Sequence, residues 1–91
     1  MAWIDIVPLT EADDALRAAW EGQRRLYPRE YDRDPGDDGS TSIVATHSLI
    51  PDALFHAFAT FGVLMSPELP LTRRQQEMIT TLVSVTNRCH Y

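Results

Sequence analysis

"LTRRQQEMITTLVSVTNRCHY", residues 71–91, is the stretch whose reading decides the fold of this chain. Thr72 is followed three residues later by Gln75. In that capping-box spacing each side chain closes an open backbone group of the other, so a helix starts here. Met78, Leu82 and Val85 recur at i, i+4 and i+7, and Ile79 and Val83 widen the stripe. The 3.6-residue period predicts one amphipathic helix with that stripe buried. Glu77, Thr81, Ser84 and Arg88 repeat one step round as a thin polar line beside it. Asn87 tolerates the left-handed conformation that ends helices, which predicts the stop. Just beyond it lies Cys89, the chain's only cysteine.

Working back toward the N-terminus, "SPELP" reads as a turn, and "PDALFHAFATFGVLM" (51–65) as a second long helix with Pro51 in its first turn. Leu54, Phe55, Phe58, Phe61, Gly62 and Met65 fall on one broad face, expected to be core. "SIVATHSLI" before it predicts a short helix or turn. Residues 28–42 combine Pro, two Gly and five acidic residues with no strand or helix period, so they are expected to form a loop. In "PLTEADDALRAAWEGQRRLYP", Thr10 is the expected N-cap and Glu11, Asp13 and Asp14 suit the positive end of a helix dipole. Ala12, Ala15, Leu16, Ala19, Gln23, Leu26 and Tyr27 trace its apolar face with one polar intruder, Pro28 ends it, and Trp20 is expected to pack. Apart from the short "AWIDIV", nothing alternates as a strand does. The expectation is an all-α domain over residues 1–91, with three main helices and one short one.

The 91 residues carry a formal charge of −5, and every basic residue is Arg. Arg24-Arg25 and Arg73-Arg74 are the only adjacent basic pairs, too few to neutralise a phosphate backbone, so nucleic acid and anionic membrane are not expected partners. The N-terminus lacks the charged and apolar regions of a signal peptide, and no window reaches the ~18 apolar residues of a membrane span. A lone cysteine excludes an internal disulfide framework; together these predict a soluble, cytoplasmic protein. "DRDPGDDG" lacks the ligand spacing of a calcium loop, and no His-x-x-His or Cys-x-x-Cys is complete. His47 and His56 are therefore expected to be packed or surface residues, with no metal and no cofactor. A chain this short buries a modest core and gains from oligomerising or docking.

Residues 71–91 resemble the core of the alkylhydroperoxidase D-like / carboxymuconolactone decarboxylase superfamily, nearest to its peroxidase-related subgroup. Those sequences carry a Leu-Ser/Thr-Arg start, a Glu, an apolar stretch, then Ser-x-x-Asn-x-Cys-x-Tyr-Cys and a His soon after. The matching positions are Leu71, Thr72, Arg73, Glu77, Ser84, Asn87, Cys89 and Tyr91. "MAWI" and "HSLIPDALFHAFATFGVLM" also resemble that subgroup's N-terminal half. The resemblance implies an AhpD-like helical fold, of which this chain is the N-terminal portion, ending inside the Cys-x-x-Cys motif. It implies Cys89 as the first thiol of a redox pair, Glu77 as the acid of a proton relay and Tyr91 between the two cysteines. The second cysteine would be residue 92, with the relay His beyond it.

By that resemblance the expected activity is thiol-dependent peroxidase or disulfide oxidoreductase chemistry in a homo-oligomer, with a peroxide substrate and a thiol/disulfide redox partner. One thiolate attacks peroxide and becomes a sulfenic acid, which a second thiol converts to a disulfide. A carboxylate and a His move the protons. A thiol at the start of a further helix would gain thiolate character from its dipole. Two other readings stand beside this one: a cysteine-independent decarboxylase of carboxylated lactones, and a non-catalytic helical segment that only packs with a partner. Glu77 and Cys89 are twelve residues apart. A straight helix would hold them about 18 Å apart, so a turn or an intervening relay group is required.

Overall fold

The computed structural model of the chain describes residues 3–31, 36–37 and 39–89. It is all-helical: three α-helices, α1 (Asp14–Arg24), α2 (Pro51–Leu64) and α3 (Arg73–Thr86), joined by single-turn or short 3-10 helices at Leu9–Glu11, Arg29–Tyr31 and Ile43–His47. No strand forms among the described residues, "WIDIV" included. The expected short helix is the Ile43–His47 segment, whose N-cap Ser42 accepts from the Val44 amide.

The first helix starts later than expected. Thr10 lies inside the first 3-10 turn, and Ala12 and Asp13 are extended, so Asp13 is the cap: its carboxylate accepts from the Leu16 amide at 2.8 Å. An Asp with an extended backbone aims its oxygen at the open amides, which Thr10 does not do from within a turn. The far end also stops short, at Arg24; Leu26 and Tyr27 then bond back to Gln23 and Arg24 in tightened turns. Leu26 is consequently exposed, and Trp20 takes a core place as expected.

The core lies where α1 crosses α2. Leu16 and Trp20 from α1, Leu54 from α2, and Val44 and Ala45 from the short helix make one buried cluster, flanked by Ile6, Val7 and Phe58. Val7 is pinned by its amide donating to Oγ of the buried Ser48 at 2.7 Å. Two glycines permit the close crossing. A Cβ on Gly62 would stand 2.4 Å from Leu26 Cβ, and one on Gly22 would stand 3.1 Å from the Phe55 ring. The polar intruder of α1, Gln23, is fully buried, its amide nitrogen donating to the Trp20 carbonyl at 2.9 Å.

The α3 helix starts as its sequence predicts. Both halves of the capping box form: the Gln75 amide donates to Thr72 Oγ1 at 3.1 Å and the Thr72 amide to Gln75 Oε1 at 2.9 Å. Gln76, only 3% exposed, docks the first turn on the end of α2 by donating to the carbonyls of Leu64 and Ser66. Beyond that turn the expectation fails. Met78, Ile79, Leu82, Val83 and Val85 are not buried; each is between 51% and 68% exposed. All of residues 81–89 are exposed, so the helix projects from the α1–α2 body with its apolar stripe facing outward. Periodicity identifies which face is apolar, but a face is buried only where another element lies over it.

Candidate functional site

The helix ends in a Schellman motif, which sets the position of Cys89. Asn87 is the C-cap with helical dihedrals, and the left-handed residue is Arg88, at φ 53°, where Asn87 was expected. The Cys89 amide donates to the Ser84 carbonyl at 2.8 Å and the Arg88 amide to Val85 at 3.0 Å, the paired bonds that close the last turn. Choosing which of two adjacent residues turns left-handed depends on how far the i→i−4 ladder runs, and the ladder here continues through the Asn87 amide to Val83. The Cys89 thiol is free and exposed. Tyr91 lies outside the described residues.

Glu77 stands at the other end of the same helix, half-buried and bonded from two directions. Arg73, one turn earlier on α3, donates Nε–H to Glu77 Oε1 at 2.8 Å. The Tyr31 hydroxyl donates to the same oxygen at 2.7 Å from the loop between α1 and the short helix. Glu30 reaches the other side of Arg73 at 3.6 Å, and the guanidinium sits 5.3 Å from the centre of the Tyr31 ring. Tyr31 is held in turn: its ring meets Phe61 edge-on at 5.7 Å, and its carbonyl accepts from Arg24.

The electrostatics follow from those bonds. The Tyr31 hydroxyl and then Arg73 hold the Glu77 carboxyl below the usual glutamate range, since each donor bonds the ionised form more strongly. Burial, followed by the adjacent carboxylate, raises the Tyr31 phenol, so it stays protonated and donating. Glu77 rests as a carboxylate, and the same donors make it a weaker base than a free glutamate.

Glu77 and Cys89 are not brought together. Because α3 is one uninterrupted helix from Arg73 to Thr86, the axial separation is about 18 Å, and the turn at Arg88 comes too late to shorten it. Between them runs an open apolar groove of about 700 Å³, bordered by Glu77, Met78, Ile79, Thr81, Leu82 and Val85. These residues share one helix, so the groove is a bare face and not an enclosed pocket.

Among the described residues, His47 and His56 are packed or surface side chains. His47 meets Phe58 edge-on at 4.9 Å with Nδ1 2.9 Å from Thr46 Oγ1, and His56 is exposed beside Phe55. Among the described residues no group of three His, Cys, Asp or Glu is placed to hold a metal; most of "DRDPGDDG" lies outside them. No described helix is long and apolar enough to cross a membrane.

The sequence reading missed Tyr31. Its bond to Glu77 spans 46 positions, and no period connects a loop tyrosine to a helix carboxylate. The Arg73–Glu77 pair carried a visible signal, opposite charges at i and i+4.

Comparison of the chain with protein-family models, with characterised proteins and with solved structures finds no match.

Proposed function

We propose that this chain supplies the first thiol and the relay carboxylate of an AhpD-like thiol-dependent peroxidase or disulfide oxidoreductase. The observation that carries the reading is a sole cysteine, exposed, fixed at a helix-ending turn, on the same helix as a carboxylate held ionised. The motif residues Leu71, Thr72, Arg73, Glu77, Ser84, Asn87, Cys89 and Tyr91 support it in sequence.

The Cys89 thiolate attacks one peroxide oxygen. The O–O bond breaks, cysteine becomes a sulfenic acid, and the leaving oxide takes up a proton. A second thiol condenses with the sulfenic acid, releasing water and forming a disulfide. A dithiol redox partner then reduces that disulfide. The second thiol and the group bridging Glu77 to Cys89 come from outside the described residues. Peroxide and a thiol/disulfide protein are the proposed partners, and the reducing cytoplasm is the proposed setting.

The bare α3 face supports homo-oligomer formation. At 1.5–3 kcal/mol per fully buried aliphatic side chain and about 25 cal/mol per Å², its five apolar residues, 51% to 68% exposed, offer roughly 180–360 Å² per copy. A pair of such faces, roughly 360–720 Å², falls short of the about 1,200 Å² of specific interfaces, so a homo-oligomer through α3 draws on further surface beside this stripe. That same face favours the second reading, a helical segment whose role is packing with a partner.

The deciding experiment exposes the reduced protein to hydrogen peroxide, traps sulfenic acid with a cyclic diketone and reads the intact mass before and after thiol alkylation. The redox reading expects rapid trapping at Cys89, lost in Cys89→Ser, and turnover once a dithiol is supplied. Trapping no faster than for free cysteine would leave the packing role.

A further inference from the structure

The carboxylate of the proposed relay is held from outside its own helix. Glu77 Oε1 receives both donors, the Tyr31 hydroxyl at 2.7 Å and Arg73 Nε at 2.8 Å. Oε2 accepts no hydrogen bond from the described residues, and Glu77 borders the open groove of α3. The two oxygens are therefore unlike: one is saturated by fixed donors, the other is free to exchange a proton. The donors are themselves fixed. The Tyr31 amide donates to Pro28 at 3.0 Å, Phe61 supports its ring, and Glu30 from the same turn pairs with Arg73.

Resting on the redox reading, we propose that Tyr31 is a positioning residue for that chemistry. It takes Oε1, fixes the plane of the Glu77 carboxylate together with Arg73, and leaves Oε2 as the oxygen that passes the proton. It also ties the loop after α1 to α3, so the relay carboxylate is set only when that loop is seated. The charged and titratable groups around Glu77 are Tyr31 and Glu30 from the loop and Arg73 and Arg74 from α3. A carboxylate with one bound oxygen keeps its orientation through a proton-transfer cycle, which is what proton transfer by a placed group requires.

Tyr31→Phe tests this, because phenylalanine keeps the ring on Phe61 and removes only the hydroxyl. Two readouts are taken on the intact chain: the Glu77 titration by carboxyl carbon NMR, and the pH profile of Cys89 oxidation by hydrogen peroxide. The expected result is that Glu77 titrates below ordinary glutamate in the wild type and moves up toward it in Tyr31→Phe. An upward shift is also expected in Arg73→Gln, and the acid limb of the oxidation profile follows the titration upward. An unchanged Glu77 titration in Tyr31→Phe overturns the proposal whatever the activity. A shifted titration with an unmoved oxidation profile also overturns it, by showing the pair uncoupled from the thiol. An inert Cys89 in the wild type defeats the redox reading instead, and the titration then reports separately whether the Tyr31–Glu77 bond exists. Should Tyr31→Phe lose its cooperative melting, Arg73→Gln carries the same two readouts.

Discussion

Two leucine truncations separate the interior of this protein from its bare helix. Leu54 is 0% exposed in the α1–α2 core, whereas Leu82 is 67% exposed on α3. Leu54→Ala removes buried methyl groups and leaves a cavity, which costs about 2–5 kcal/mol. For a 91-residue chain, total stability is about 5–14 kcal/mol, so this one change removes a large share of it. For Leu82 only a third of the side chain is shielded. A third of the 1.5–3 kcal/mol of full burial is about 0.5–1 kcal/mol. Urea unfolding measures both, with equal slopes for the two variants and wild type if only the folded state changes. It is run at the lowest usable protein concentration, where no second copy covers the helix. A Leu82→Ala loss matching that of Leu54→Ala under those conditions would refute the projecting helix and restore the buried stripe that periodicity suggests. A Leu82→Ala loss that grows with concentration is the signature of a copy docked on this face.

Other changes test particular contacts. Gly62→Ala forces a Cβ to within 2.4 Å of Leu26 Cβ, so overpacking of about 1–3 kcal/mol exceeds the helix-propensity gain of up to ~1 kcal/mol. A melting point unchanged or raised would show that α1 and α2 do not cross there. Arg88→Gly relieves a non-glycine residue at φ 53° and should slow amide exchange at Cys89 about two- to fivefold; faster exchange would argue against the left-handed turn. Because the Glu77 carboxyl is depressed in the folded state, its stabilisation is complete above the unfolded value of about 4.3 and is lost as pH falls through the lower folded value. Glu77→Gln should therefore flatten the urea midpoint against pH in that acid window and leave the neutral side parallel to wild type; an unchanged acid limb would contradict the ion-held carboxylate.

Much of the helical content was legible because its signals are local. The Thr72–Gln75 box and the Pro51 start depend on residues within a turn or two of one another and form as read, whereas on the α2 face Leu54, Gly62 and Met65 are buried and Phe55, Phe58 and Phe61 only partly so. Signals that compete locally were harder. Thr10 and Asp13 are both good caps, and the choice went to the residue whose backbone is extended. At the other end of the chain, Asn87 is the better left-handed residue by propensity, yet the hydrogen-bond ladder carries one residue further and Arg88 takes the strain.

What the sequence did not reveal is non-local by nature. Hydrophobic spacing on α3 defines a face and not its neighbour, so the same five residues read equally well as core or as open surface. Gln23 looks like an interruption of an apolar face, yet it is wholly buried, its amide nitrogen returning to the Trp20 carbonyl on its own helix while its Oε1 has no hydrogen-bond partner among the described residues. The Glu77 site shows the same division. Its i, i+4 partner Arg73 was within reach of spacing, while Tyr31 arrives from a loop 46 residues away. The Tyr31 hydrogen bond is the largest single influence keeping Glu77 ionised, beside the bond and the charge that Arg73 supplies. One of the two residues that set the state of the carboxylate is thus one no spacing rule could name. A loop tyrosine succeeds there because Phe61 and Arg24 fix it, and both belong to the α1–α2 body, whose two helices were legible although α1 is shorter at both ends. The Glu77 carboxylate is therefore coupled to the core through that loop, although the helix carrying it projects into solvent.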